Sequence, residues 1–169
     1  MRIGIVGNYG NDNNGDEAIL LSLVKQVTST FNISTSQLTI FSNNPKQTAE
    51  RYGVESYPLY YKKGNAVKTF IETFRQNKRV VKKLDLLIIG GGGILMDLYR
   101  REAPLYGSYA MMAKQSKTPY VIYGCGAGPL HTSLGKWFIR YMCKHAESVS
   151  VRDPESAELL RSIGVNEKV

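Results

Sequence analysis

Apolar and polar positions along this chain show two kinds of pattern, one typical of strands and one typical of helices. Short apolar runs bounded by Gly, Asn and Pro predict strands, and apolar residues repeated every three or four positions predict helices. The predicted strands cover residues 2–6, 37–41, 54–57, 84–89, 119–123 and 148–151. The predicted helices cover residues 16–31, 45–52, 68–83, part of 97–117, a stretch capped by Thr132 and one bracketed by Asp153 and Gly164. This alternation predicts an α/β fold, a Rossmann-like parallel sheet flanked by helices on both faces.

The helical spacing also predicts which side chains face the core. Three helices show a clear apolar stripe, and the predicted stripes are Leu20, Val24, Val27 and Phe31; Phe70, Ile71, Phe74 and Val81; and Leu134, Trp137, Phe138, Tyr141 and Met142. The second of these helices carries a basic flank, which is typical of a solvated surface or of a surface that meets an anionic partner.

The length of 169 residues corresponds to about one domain. We therefore expect residues 1–169 to form a single Rossmann-like N-terminal domain. A further strand is expected beyond residue 169. We therefore expect the chain to be one domain of a longer protein, whose C-terminal partner domain is absent from this sequence. No apolar run is long enough to cross a bilayer, and the N-terminus lacks the pattern of a signal peptide. We expect a cytoplasmic protein.

Charge narrows the class of partner. The formal net charge is +8 at pH 7, which favours an anionic partner such as a phosphorylated substrate, an acidic glycan, nucleic acid or an anionic membrane face. The two cysteines, Cys125 and Cys143, do not form a Cys-x-x-Cys pair, so no metal site is expected.

Four unusual segments directly follow predicted strands. They are the Gly- and Asn-rich loop 7–15, the four glycines 90–93, the glycine-rich segment 124–128 and the Arg-Asp pair 152–153. Ligands of open parallel sheets bind outside the carboxyl ends of the strands, and glycine lets backbone amides approach an anion closely. The agreement of four segments predicts one ligand site at this edge.

Two common nucleotide sites are disfavoured. The first loop contains no Gly-x-Gly-x-x-Gly, and the second predicted strand ends in Ser42-Asn43-Asn44 rather than in an acid that would bind a ribose hydroxyl. No glycine loop continues into Gly-Lys-Ser/Thr, so a P-loop is absent. The sequence therefore does not predict dinucleotide or P-loop ATP chemistry.

The same segments resemble a known family. The motifs are Asn8-Tyr9-Gly10 with Asn14-Gly15-Asp16-Glu17-Ala18, Leu87-Ile88-Ile89 with glycines 90–93, Tyr123-Gly124-Cys125-Gly126-Ala127-Gly128-Pro129, and Ser150-Val151-Arg152-Asp153. In this order and at these spacings they resemble the polysaccharide pyruvyl transferase family, over the N-terminal half of a typical member.

The resemblance implies an architecture and a reaction. Members have two Rossmann-like domains that face each other, as in GT-B glycosyltransferases. They move a pyruvyl group from phosphoenolpyruvate onto sugar hydroxyls of a cell-surface glycan, as a ketal. The implied partners are phosphoenolpyruvate, as co-substrate without a further cofactor, and a lipid-linked or polymeric saccharide. Peripheral contact with the anionic inner face of the membrane is a further expectation, and no specific nucleic acid is expected. The absent half is expected to supply much of the donor site.

Two residues are candidates for catalysis. Ketal formation needs a proton on the methylene carbon, a group that orients or deprotonates the sugar hydroxyl, and cations for carboxylate and phosphate. Asp16 ends the first loop and is placed to orient a hydroxyl, while the Arg152 fork is suited to hold a carboxylate or phosphate. The structural alternatives are that Asp16 favours the dipole of its helix and that Arg152 pairs with Asp153.

The candidate substrate-binding residues come from the same loops. They are Asn8, Asn14, Gly15, Gly91, Gly92, Gly93, Gly126 and His131. Two other functions stay open from the sequence: a GT-B glycosyltransferase that uses a nucleotide sugar, and a non-enzymatic module that binds an anionic ligand or nucleic acid. The second lacks any RRM, KH or helix-turn-helix signature.

Overall fold

The computed structural model describes residues 1–98 and 101–165. Its strands are β1 (Ile3–Val6), β2 (Leu38–Ser42), β3 (Glu55–Pro58), β4 (Leu86–Leu95), β5 (Tyr120–Ala127) and β6 (Val149–Val151). Its helices are α1 (Asn14–Phe31), α2 (Pro45–Tyr52), α3 (Ala66–Val81), α4 (Glu102–Ser116), α5 (Ser133–His145) and α6 (Pro154–Ser162), with a 3₁₀ turn at Thr35–Gln37.

The sheet has the doubly wound order. Within the described residues, six parallel strands lie in the order β3-β2-β1-β4-β5-β6. The chain winds outward from β1 to β3, then crosses through α3 to β4 and winds outward in the other direction. The strand order therefore reverses between β1 and β4, which is the point where such sheets bind their ligands. The predicted α/β, Rossmann-like fold is confirmed.

Helices cover both faces and enclose two cores. α1 packs over Ile3, Ile5 and Ile88 in one cluster, whereas α4 and α5 belong to a second cluster that includes Val6 and Ile89. Neighbours in one strand fall into different clusters because alternate side chains point to opposite faces. α4 lies between α3 and α5 in the second layer. Among the described helices, none has the length and apolarity needed to span a membrane.

Two strands are longer than the sequence predicts. β4 continues through the four glycines to Leu95, and β5 continues through Gly124 and Gly126 to Ala127. The prediction that these glycines follow the strands was therefore wrong. The two segments pair with each other, Gly92 with Cys125 and Leu95 with Ala127, with a register shift between the two pairs. Each supplies the partner that the other needs to stay extended.

The predicted stripes were partly wrong. α3 buries Thr73 and Asn77 beside Val81, while the predicted Ile71 is 59% exposed. Asn77 is buried because its amide donates to the Pro58 carbonyl and to the Tyr109 hydroxyl of α4, at 2.9 and 2.8 Å. In α5, Leu134 and Trp137 are exposed although they share the helical period of the buried residues. Periodicity thus located an apolar side of each helix, but the neighbouring helices determine how much of it is covered.

Helix starts follow side-chain caps. The Asp153 carboxylate accepts from the Ser156 amide at 2.8 Å at the start of α6, as the sequence predicts. α1 begins at Asn14 rather than at Asp16, because the Asn13 side chain accepts from the Gly15 amide at 3.0 Å and caps the helix earlier. Asp16 consequently lies in the first turn of α1, above the end of β1.

Candidate functional site

The candidate site lies at the carboxyl edge, where β1 and β4 are neighbours. β1 ends at Val6, paired with Ile89, while β4 continues beyond it. The loop from Gly7 to Asn13 then crosses this edge and leads into α1. The extension of β4 and the start of α1 therefore face each other across the first loop.

Tyr9 anchors the first loop. Its side chain is fully buried, and its hydroxyl donates to the Gly90 carbonyl at 2.5 Å. Its own carbonyl accepts from the Asn43 backbone and side-chain amides, both at 2.9 Å. A β-carbon on Gly7 would lie 2.6 Å from the Tyr9 ring, so glycine is required there for packing. The loop is thus fixed to the ends of both β2 and β4.

Asp16 points into the edge that this loop crosses. Asn8 donates its side-chain amide to Asp16 Oδ2 at 3.0 Å, and a β-carbon on Gly92 would lie 3.0 Å from Asp16 Oδ1. Burial raises the pKa of Asp16 above its usual value, against the effect of the hydrogen bond from Asn8, and the neighbouring charge of Glu17 raises it further. The carboxylate is only partly buried, so it stays accessible to a hydroxyl from outside and is more basic than an exposed aspartate.

Glu17 holds the loop from behind. It is 7% exposed and accepts from the Gly10 amide at 2.8 Å and from the Tyr52 hydroxyl at 2.7 Å, with Arg51 at 3.4 Å. Burial and donation to Glu17 raise the pKa of Tyr52 to about 12, so this hydroxyl keeps its proton. In the sequence, Glu17 was named as part of the family motif, with no catalytic or binding role of its own. The available signal was that Glu17 directly follows Asp16 in a helix that must bury one face, so the two acids project in different directions from the helix axis.

Packing accounts for much of the glycine run. A β-carbon on Gly90 would collide with the Tyr123 carbonyl of β5, and one on Gly91 would collide with the Tyr9 hydroxyl. Gly91 and Gly92 also have φ angles of 79° and 84°, which favour glycine. The role of Gly91, Gly92 and Gly93 in binding a ligand stays a prediction, and Gly92 is the one beside the Asp16 carboxylate.

Arg152 lies farther along the same edge. It follows β6, and its guanidinium covers Gly126 of β5, where a β-carbon would lie 2.9 Å from Arg152 Cζ. Its Nε donates to Asp153 Oδ2 at 2.9 Å, so the pairing that the sequence left open is present. The side chain is 60% exposed and able to reorient. Asp16 and Arg152 thus stand over β4 and β5, whose axes are about 4.8 Å apart.

Asp97 organises the loop that carries His131. This carboxylate is 3% exposed and accepts from the His131 and Thr132 amides at 2.7 and 2.6 Å and from the Thr132 hydroxyl at 2.6 Å. Burial alone would raise the pKa of Asp97, but these hydrogen bonds outweigh it and hold the pKa below its usual value. His131 is exposed and contributes its backbone amide here. Sequence reasoning missed Asp97, because an acid four residues after a glycine run has no distinctive spacing.

The remaining candidates lie around this centre. Asn14 and Gly15 are exposed at the outer start of α1.

Two buried groups near this edge keep their protons. Burial raises the pKa of Tyr106 strongly, and the charges of Glu102 and Asp16 raise it further. Burial also raises the pKa of Cys125 to about 12, which makes it a packing thiol rather than a nucleophile. Within residues 1–98 and 101–165, no three His, Cys, Asp or Glu side chains are grouped as metal ligands.

Comparison with known proteins identifies the family. The family model for polysaccharide pyruvyl transferase matches residues 13–169. The chain belongs to the polysaccharide pyruvyl transferase family. The resemblance inferred from the motifs is confirmed, and family membership supports a transferase in general. No match is found among curated proteins.

Solved structures share the fold at low sequence identity. A putative UDP-N-acetylglucosamine 2-epimerase from Listeria monocytogenes has a TM-score of 0.57 at 9% identity, covering 99% of this chain and 43% of the epimerase. A second UDP-N-acetylglucosamine 2-epimerase has a TM-score of 0.59 at 10% identity, with 99% and 44% covered. An FtsZ from M. jannaschii has a TM-score of 0.54 at 13% identity, with 98% and 54% covered. The chain therefore spans less than half the length of these epimerases.

Proposed function

We propose that this protein transfers the pyruvyl group of phosphoenolpyruvate onto two hydroxyls of a cell-surface glycan as a ketal. The observation that supports it is the pair of charges at the switch-point edge: a partly buried carboxylate, Asp16, beside Gly92, and an exposed guanidinium, Arg152, over Gly126. A base for a hydroxyl and a cation for an anionic donor are the groups that this reaction needs.

The reaction balances without an oxidant or reductant. The methylene carbon of phosphoenolpyruvate gains a proton and becomes the methyl group, while one sugar hydroxyl bonds to the adjacent carbon. The bond from that carbon to the phosphate oxygen then breaks, and the second hydroxyl closes the ketal. Of the two hydroxyl protons, one balances the new methyl group and the other leaves with phosphate.

Each residue has a stated part in this proposal. Asp16, with its raised pKa, accepts the proton of the attacking hydroxyl, and Asn8 fixes the orientation of its carboxylate. Arg152 exchanges its contact with Asp153 for the carboxylate or phosphate of the donor, which offers two oxygens to the fork. Further contacts to the substrates are proposed for the residues Asn14, Gly15, Gly91, Gly92, Gly93, Gly126 and His131.

A second domain is part of the proposal. The carboxyl edge is lined here from one side, and we propose that a C-terminal Rossmann-like domain faces it and supplies much of the donor site. The span of less than half the epimerases' length supports this arrangement. We also propose that the protein acts in the cytoplasm on a lipid-linked or polymeric acceptor.

The test uses the full-length protein that carries this chain. It is incubated with phosphoenolpyruvate and a panel of lipid-linked and synthetic glycosides, while phosphate release and the mass of the sugar are followed. Phosphate release with a pyruvate-sized gain in mass is expected, and both should be lost in Asp16→Ala. Turnover of a nucleotide sugar without phosphoenolpyruvate would replace the proposal with glycosyl transfer. Strongly salt-dependent nucleic-acid binding that is indifferent to Asp16, without turnover, would favour a binding module.

A further inference from the structure

The two helical layers of the sheet differ in charge. The layer of α3, α4 and α5 carries eight Lys and Arg against two Glu, whereas α1 and α2 on the other face carry three of each sign. Between residues 103 and 146 the sequence contains five Lys and Arg and no acid at all. Helices α3, α4 and α5 together therefore carry a net charge of +6, whereas α1 and α2 together are neutral.

The same layer exposes large apolar side chains. In α3, Val67 and Ile71 are 67% and 59% exposed, and in α5 Leu134 and Trp137 are 60% and 46% exposed. Leu98, just before α4, is 51% exposed. Single exposed apolar residues need no explanation, but five in one layer, four of them aliphatic, form a surface that water solvates poorly.

These apolar residues lie at one end of the layer. Each helix runs back from the carboxyl edge of the sheet, and Val67, Ile71, Leu134 and Trp137 all fall in the first two turns of α3 or α5. The charged residues at this end are the exposed Lys62, Lys63 and Lys68 together with Lys136, against the two acids of the layer, Glu72 and Glu102. Most of the other cations of the layer lie toward the opposite ends of the helices. Apolar tips flanked by lysines therefore border the edge that carries the candidate site.

We propose that this surface docks the protein on an anionic lipid bilayer, with the first turns of α3 and α5 turned toward the headgroups beside the carboxyl edge of the sheet. Lysines attract the negative surface, and the aliphatic tips and Trp137 enter the interface between headgroups and acyl chains. Lysine stems extend along apolar surface while their charged heads stay in water, which suits this boundary.

Two other occupants fit less well. Nucleic acid would bind the lysines through its phosphates and Trp137 through base stacking. Its phosphates and base edges offer nothing, however, that would cover the aliphatic side chains of Val67, Ile71, Leu134 and Leu98. A second copy of the chain would bring two surfaces of the same positive sign together, which is repulsive. An anionic bilayer satisfies both the charge and the apolar tips.

This proposal goes beyond the proposed function and does not depend on it. Docking needs neither donor nor acceptor, so it can be measured without turnover. A failure to bind vesicles would leave pyruvyl transfer standing, and a failure to transfer pyruvate to soluble glycosides would leave docking standing. If both hold, the bilayer presents a lipid-linked saccharide beside the edge of the sheet that carries Asp16.

The chain contains one tryptophan, Trp137, so its fluorescence reports on the proposed docking surface alone. The full-length protein, together with a variant in which Trp137 is its sole tryptophan, is mixed with vesicles of phosphatidylcholine alone or with added phosphatidylglycerol. We expect cosedimentation that rises with the anionic fraction and falls with salt. Trp137 emission should shift to the blue and be quenched by brominated acyl chains. Equal binding to neutral and anionic vesicles, or binding without the Trp137 shift, would overturn the proposal.

Paired variants separate this surface from the rest of the molecule. Lys62→Gln with Lys63→Gln should lower the partition coefficient about tenfold or more. Ile71→Ser with Leu134→Ser should lower it about tenfold. The matched controls lie in the opposite layer: Lys25→Gln with Lys46→Gln, and Leu21→Ser with Phe31→Ser, all exposed. Controls that lose as much binding as the test pairs would contradict the proposal.

Two further outcomes would assign the surface to another occupant. Light scattering that shows a dimer, lost in the Ile71→Ser and Leu134→Ser variant, would mean that a second copy covers it. A Trp137 shift on a homopolymeric RNA, but not on anionic vesicles, would mean that nucleic acid covers it. Either result overturns docking on a bilayer.

Discussion

Asp16 and Arg152 lie at the same edge of the sheet but are held in different ways. The Asp16 carboxylate is partly buried and hydrogen-bonded to Asn8, on a loop that Tyr9 and Glu17 fasten to three elements. The Arg152 guanidinium is mostly exposed and pairs with the next residue, Asp153. A group that takes a proton must be positioned to a fraction of an ångström, whereas a cation that attracts an anion tolerates movement. The fold gives positional precision to the carboxylate and leaves the guanidinium free to move.

The largest expected effect comes from removing the charge of Asp16. Asp16→Asn keeps an oxygen that accepts from Asn8 but removes the proposed base, so kcat/KM for the proposed pyruvyl transfer should fall about 10³-fold. Asp12→Asn, an exposed acid in the same loop, is the control and should change kcat/KM little. Steady-state kinetics of the full-length protein check both. A full rate in Asp16→Asn would remove Asp16 from the reaction.

The next largest effect is expected from a substitution at Gly92 that displaces the Asp16 carboxylate while Asp16 itself is kept. In Gly92→Ala the new methyl group lies 3.0 Å from Asp16 Oδ1 and displaces the carboxylate, so kcat/KM should fall about 10²-fold. Gly124→Ala is a matched control, because Gly124 also has a positive φ of 60° but nothing lies within 4 Å of its β-carbon position. Both variants should lose about 1 kcal/mol of stability from backbone strain, measured by chemical denaturation. Equal losses of activity would contradict the comparison.

A smaller effect is expected at Arg152. Arg152→Ala removes a charged hydrogen-bond donor worth about 2 kcal/mol, so KM for phosphoenolpyruvate should rise about 30-fold with little change in kcat. Asp153→Asn removes the competing charge but still caps α6, so KM should stay the same or fall. A lower kcat with an unchanged KM in Arg152→Ala would mean that Arg152 serves the chemical step rather than donor binding.

The smallest effect is the pH dependence that follows from the pKa of Asp16. Because burial raises this pKa above its usual value of about 3.8, the acid limb of kcat/KM should lie above that value and be absent in Asp16→Asn. A raised carboxyl pKa also means that the stability contributed by Asp16 is present below its unfolded pKa and lost as pH rises through the folded pKa. Asp16→Asn should therefore be as stable as the native chain, or slightly more stable, at pH 7, as thermal unfolding can show. An acid limb that persists in Asp16→Asn would assign it to another group.

Local patterns predicted the sheet edge well and its internal contacts poorly. The order of apolar runs and glycine-rich breaks was sufficient for the α/β fold and for bringing Asp16, Asn8 and the glycines to one edge. The glycines were expected after β4, but they lie within it, because pairing with β5 is a contact between segments about thirty residues apart. Asp97 was missed for the same reason, since its partners His131 and Thr132 lie on another loop.

The sequence by itself determined the parallel α/β architecture, the family and the edge at which chemistry is expected. These depend on periodicity, caps and motifs, which are local and are therefore readable along the chain. Only the tertiary structure decided that Tyr9 fills the space above Gly91, that Glu17 fastens the loop behind Asp16, and that Trp137 stays uncovered. Each of these features depends on which segments of the chain contact one another in the fold. Burial and hydrogen bonding arise from those contacts and cannot be read from any one segment alone.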